Sequence, residues 1–159
     1  MILNRDDGKI SDLDVMDIKE FLNDNDLIGT NHIHGQWLFT MNKRHGGFDL
    51  VYIHEKDGKF EIYFFQITIS DDHELKCKYF SQAAKVIAGN IQQTGKIISK
   101  IVVAGLVTYH RVPDFRFSAY NKKDLKSIGE ISDFCNVPVE IKIFHPSHDP
   151  YYAYKFKNS

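Results

Sequence analysis

Cysteine is scarce in this chain: Cys77 and Cys135 stand far apart, with neither a disulfide framework nor a metal-ligand spacing. That usage is expected of a reducing, intracellular compartment, cytoplasmic or nuclear. The first residues, "MILNRDDGKISDLDVMDIKEF", are acidic and lack the apolar stretch of a secretory signal. No apolar run approaches the roughly 18 residues that would span a bilayer, so no membrane partner is expected. There is no Gly-x-Ser-x-Gly elbow and no Gly-rich Lys-Ser/Thr loop, which removes the local signatures of an α/β-hydrolase and a P-loop motor. Proline is rare (4 of 159 residues), and no repeat, low-complexity tract or interdomain linker interrupts the chain. A single domain spanning residues 1–159 is expected, large enough for a substantial core.

The hydrophobic fraction of 43% and charged fraction of 26% are ordinary for a globular domain. Net charge is only −1, but its distribution is uneven. Residues 1–30 carry eight acidic and three basic side chains. From Leu75 to Leu125, nine basic residues, among them Lys78, Lys85, Arg111 and Arg116, face only Asp114 and Asp124, nine minus two giving +7. Such a segment is either an electrostatic footprint for nucleic acid or a solvated helix and loop.

The first 30 residues suggest a helix: in "SDLDVMDIKEFLNDN" the apolar residues are Leu13, Met16, Ile18, Phe21 and Leu22, with Ser11 or Asp12 as N-cap. "QWLFTMN" is a short strand candidate. "FDLVYIH" and "FEIYFFQITIS" are rich in β-branched and aromatic residues around an "EKDGK" turn, which predicts a hairpin apolar enough to be covered on both faces. Asp71 and Glu74 form an Asp-x-x-Glu capping box that would open a helix of about residues 72 to 97. "KIVVAGLVTY" is a buried strand, parallel to an earlier one because a helix separates them. After the irregular "HRVPDFRFSAYN" come a second helix, "KKDLKSIGEISDFCN", and a last strand, "VPVEIKIF". The expected divisions are an N-terminal helix over 1–30, a core over 36–106, a helix and strand over 122–144 and a tail over 145–159. The expected fold class is α/β: a central mixed sheet flanked by helices.

Candidate chemistry collects at the end of the hairpin. Alternation puts Gln66 and Thr68 on one face of their strand, and Asp49 lies early in the neighbouring strand. A carboxylate there is costly unless it is paired, bound to a cation or capping a turn. On the following helix Tyr79, Phe80, Ala83, Ala84, Val86, Ile87 and Ile91 define an apolar arc opposite Lys78, Gln82, Lys85, Gly89 and Gln92. Lys76 falls near the middle of the apolar arc and His73 near its edge. Lys76 either snorkels past the helix end or supplies a cation to a site. Phosphodiester hydrolysis needs a divalent ion, a cation for the pentacovalent phosphate and a group to orient water. Asp49, the Gln66 side-chain oxygen and the Ile67 carbonyl would suit Mg²⁺ (or Mn²⁺). Lys76 would supply the cation, and a neutral His73 would orient water or touch phosphate.

"FDLVYI" followed by "FFQITISDDHELK" resembles a tract shared by retrotransposon-hot-spot proteins and Crinkler-type effectors. There an aspartate-bearing strand precedes Phe-Gln-x-Thr, a short gap, His and Lys, the order of Asp49, Phe65-Gln66-Ile67-Thr68, His73 and Lys76. The resemblance covers about 30 residues. It implies a PD-(D/E)xK nuclease domain with a restriction-endonuclease-like core (αβββαβ) plus an added helix and strand, in which glutamine replaces the acidic ligand. It also implies an acidic residue from the first helix at the metal, for which Glu20 is the candidate. The function expected is metal-dependent nucleic-acid cleavage. The alternative is a catalytically inactive module on the same fold that binds nucleic acid or protein, as a homodimer or with a host factor.

Two further patterns stand apart from this site. "NHIHGQ" sets His32 and His34 two apart, either a Zn-type pair on a strand or a polar loop entering one. "DFRFSAYNKK" and "DPYYAYKFK" interleave aromatic and basic residues, for packing or for stacking on single-stranded nucleic acid.

Overall fold

The structure, a computed structural model, describes residues 2–3, 8–41, 48–67, 72–73, 77–107, 116–117 and 136–145. The hairpin is its centre. β5 (Leu50–Lys56) and β6 (Lys59–Ile67) pair antiparallel from Lys56↔Lys59 to Leu50↔Phe65. Asp57 and Gly58 alone join them, both at positive φ (54° and 76°), the two-residue turn that matches strand twist. β4 (Gln36–Thr40) pairs antiparallel with β5, completing the three-stranded meander expected from the sequence.

The chain then leaves β6 and passes through α1 (Cys77–Gln93) before returning as β8 (Ile97–Leu106), parallel to β6. β10 (Val139–His145) adds parallel to β8. Two short segments, β1 (Ile2–Leu3) and β2 (Gly8–Lys9), pair parallel along β10. At the opposite side β3 (Asp17–Phe21) pairs parallel with β4. The order is β1-β10-β8-β6-β5-β4-β3, an α/β fold on a mixed sheet of six longer strands with one described helix. A separate two-stranded ribbon joins β7 (Asp72–His73) to β9 (Arg116–Phe117) in parallel.

The sheet is covered on both sides. Val51, Ile53, Ile62 and Phe64 point to the face where α1 lays Phe80, Ala83, Ala84, Ile87, Ala88 and Ile91. Among the described side chains of α1, Phe80, Ala83, Ala84, Val86, Ile87 and Ile91 lie on the core side as the sequence indicates, and Gln82, Lys85 and Gln92 are exposed. Alanines at three of the contact positions let the helix lie close, and burying each Ile or Phe there contributes on the order of 1.5–3 kcal/mol. The other face carries Trp37, Tyr52, Tyr63, Phe65, Val102, Ala104 and Phe144, with Ile10, Leu13, Leu50 and Leu106 packed against them. No described helix is long and apolar enough to cross a membrane.

Two expectations are corrected. Residues 1–30 contain no described helix longer than a 3-10 turn (Ile10–Asp12 and Asp24–Leu27); they supply β1, β2 and β3 instead. The stripe that suggested a helix does not form one buried face: Phe21 is buried and Leu13 half-buried, but Met16, Ile18 and Leu22 are exposed. The Gly35 carbonyl accepts the N–H groups of Met16 and Asp17, drawing the segment onto β4. The helix expected from residue 72 also differs: Asp72 and His73 are in a strand, and the described helix runs from Cys77 to Gln93, closed by Gly95 at φ 78°. The Asp71/Glu74 capping box, the helix expected over 122–136 except Asn136, which is in a turn, and the tail after His145 lie outside the described residues.

Candidate functional site

Phe48 is buried beside Phe64 and Phe80, anchoring the chain as it enters β5. Asp49 follows, exposed, and grips β6 with two groups. Its N–H donates to the Phe65 carbonyl (2.8 Å), and its Oδ2 accepts the Ile67 N–H (2.8 Å). The aspartate therefore flanks Gln66 on both sides. Gln66 shares the α1 face with Phe64 and is buried at 2% exposure. Its Oε1 meets no hydrogen-bond donor among the described residues, while the residue makes a further contact elsewhere. Ile67, the last residue of β6, is 52% exposed. Asp49, Gln66 and Ile67, singled out in the sequence, are thus neighbouring residues at the strand end, the first exposed and the second buried.

Glu20 is not with them. It sits on β3 rather than on a helix, exposed, and the register Glu20↔Phe39↔Leu50↔Phe65 puts it on the Phe65 face. That is the opposite side of the sheet from Gln66, so Glu20 cannot reach a metal held by Asp49 and Gln66. His73 lies in β7, where the pairings Asp72↔Arg116 and His73↔Phe117 bring the backbone of His73 beside Arg116. One residue singled out for the chemistry and one for phosphate binding therefore share a ribbon. Lys85 is exposed on α1, and Lys78 lies in the helix's first turn. Lys76, Thr68 and Arg111 lie outside the described residues.

No family model, curated protein or solved structure matches this chain.

Two polar networks escaped the sequence. His32 and His34 are in a loop, not a strand, and turn to different partners. Among the described residues no group of three or more His, Cys, Asp or Glu side chains could hold a metal. The Nδ1–H of His32 donates to Gln36 Oε1 (2.8 Å), and its Nε2 accepts from Asn90 Nδ2 (3.1 Å). Asn90 Nδ2 also donates to the Leu27 carbonyl (2.8 Å), its Oδ1 accepts the Gly29 N–H (3.2 Å), and Gln36 Nε2 donates to Asp17 Oδ2 (3.1 Å). The relay runs from helix to edge strand through a neutral imidazole; burial, then Lys19, lowers the His32 pKa against the opposing pull of Gln36.

The second network crosses the other face. Glu55 N–H donates to His34 Nδ1 (2.9 Å), which leaves the proton on Nε2 to donate to Asp14 Oδ2 (2.6 Å). The His54 ring packs edge-on to His34, its Nδ1 is 3.2 Å from Tyr52 Oη, and burial lowers its pKa. Tyr63 Oη donates to Glu61 Oε2 (2.7 Å), and burial with this carboxylate pushes the phenol above its ordinary range. Lys100 Nζ lies 3.8 Å from Glu61 and 3.3 Å from Glu140. Only a shift of register at Phe60/Glu61 sets Lys100 opposite Glu61. These partners come from four strands and two loops, and no local spacing announces them.

Proposed function

We propose that this chain is a metal-dependent nuclease of the PD-(D/E)xK type that hydrolyses phosphodiester bonds of nucleic acid at the end of its central hairpin, inside the cell. The observation that supports it most is the Asp49 grip on β6, which holds an exposed carboxylate at the strand end next to Gln66 and Ile67, whose oxygens would complete the set. These are hard oxygen donors, the chemistry that Mg²⁺ or Mn²⁺ prefers. A bound ion would polarise the phosphoryl oxygen and acidify its water. The chain's own residues do the rest. Asp49, Gln66 and the Ile67 carbonyl would hold the ion; Lys76 balances the charge that builds on phosphate; His73 orients the attacking water. Lys78, Lys85, Arg111 and Arg116 meet the flanking phosphates. Incubating DNA and RNA with the protein and Mg²⁺ or Mn²⁺, beside an Asp49→Ala chain, tests the proposal. Cleavage by the parent alone is expected.

A second reading, a non-catalytic nuclease-fold module for nucleic acid or protein, draws on two observations. Gln66 is neutral and almost wholly buried, and one Asp49 oxygen is already taken by the Ile67 N–H. A neutral amide holds Mg²⁺ less firmly than a carboxylate. This reading expects binding that is indifferent to chelator and no cleavage.

A further inference from the structure

Among the described residues the sheet ends at β3, which pairs only with β4. A strand residue turns its N–H and C=O to the same side, and successive residues alternate. The Asp17 N–H donates to Gly35 O (3.3 Å), and the Phe21 carbonyl accepts the Met41 N–H (2.7 Å). Asp17, Lys19 and Phe21 therefore face β4, and Ile18 and Glu20 turn their backbone groups outward. Beside these outward groups Met16 is 70%, Ile18 61% and Leu22 57% exposed. Open edges of this kind recruit another strand unless charge or shape prevents it.

The charges on β3 select one partner. Antiparallel pairing about a two-fold axis normal to the sheet matches residues of the same face, so the axis must pass through a residue. Axes through Asp17, Lys19 or Glu20 set like charges directly opposite each other, which destabilises the pair. An axis through Phe21 runs into the turn at Asp24–Leu27, where the N–H groups of Leu22 and Asn23 already donate to Asp26 Oδ2 (both 3.0 Å). The axis through Ile18 has neither fault. Ile18 would meet its own copy as a hydrogen-bonded pair, exchanging both outward groups. Asp17 of each copy would face Lys19 of the other at the non-hydrogen-bonded position, where side chains approach most closely. Met16 would lie against the aliphatic stem of Glu20.

We infer that β3 is a homodimerisation edge: two copies of this chain join antiparallel about Ile18, continuing the sheet across a two-fold axis with paired Asp17–Lys19 contacts. The inference is independent of the nuclease reading, because β3 lies two strands from β5.

Sedimentation velocity of the full chain over a concentration series tests it, and the mass is expected to rise from one chain toward two. Ile18→Pro removes the outward N–H at the axis, a change edge strands tolerate, and should leave a folded monomer. Asp17→Lys and Lys19→Asp should each be monomeric alone and form a heterodimer when mixed, because mixing restores opposite charges at every facing position. This charge exchange carries the test even where Ile18→Pro fails to fold. A parent that stays monomeric at every concentration, a dimer unchanged by folded Ile18→Pro, or a mixture that does not associate would each overturn the inference.

Discussion

Asp49 does two jobs that substitution can separate. Its Oδ2 accepts the Ile67 N–H, and in the proposed site its carboxylate would be the strongest metal-binding group. Asp49→Asn keeps an acceptor for Ile67 and removes the charge, so stability should stay within about 0.5 kcal/mol of the parent in urea unfolding, while cleavage is lost. Asp49→Ala should lose cleavage and about 1 kcal/mol as well. Gln66 gives the complementary test. Gln66→Glu places a carboxylate in a buried position, which costs stability unless a cation meets it. Its melting temperature should fall in chelator and recover with Mg²⁺ more than the parent's does; a melt indifferent to Mg²⁺ would argue against a metal at this position. The conjunction of Asp49 with Gln66 was legible because a two-residue turn fixes hairpin register. Glu20 was not legible, since its place depends on whether its segment is a helix or a strand.

At the scale of elements, the meander, α1 and the two parallel strands follow from patterns inside each segment. The first 30 residues do not, because their partners are distant: β3 pairs with β4, and β1 and β2 with β10. The Asp14 carbonyl accepts the Trp37 Nε1–H (2.9 Å), and Met16 and Asp17 donate to Gly35, so contacts made about 20 residues away outweigh local helical periodicity. Gly35 is part of this joint: it sits at φ 76°, and a Cβ there would collide with Met16 Cγ. The α1-to-loop joint depends on Asn90, whose amide serves Leu27, Gly29 and His32 together. Asn90→Ala should cost about 2 kcal/mol in urea unfolding, more than an exposed substitution such as Lys85→Ala on the same helix.

Across the whole molecule, stability should depend on pH through the two depressed histidines. His32 and His54 bind protons more weakly folded than unfolded, so the unfolded chain gains protons first as pH falls below about 6.5. Their contribution is complete above that value and is lost progressively on acidification. Melting temperatures between about pH 7 and about pH 5 should therefore decline, with a shallower slope in His32→Asn. None of this is visible in "NHIHGQ", because burial of His32 requires Asn90 from a helix nearly 60 residues on. The mixed α/β sheet was legible as an order of elements; its edge and its two polar networks were not, because they form between segments distant in sequence. The nuclease proposal is tested most directly by cleavage of labelled DNA and RNA in Mg²⁺ or Mn²⁺, comparing the parent with the equally stable Asp49→Asn chain. Metal-dependent cleavage by the parent that disappears in Asp49→Asn is the expected result; no cleavage by either, or equal cleavage by both, would contradict it.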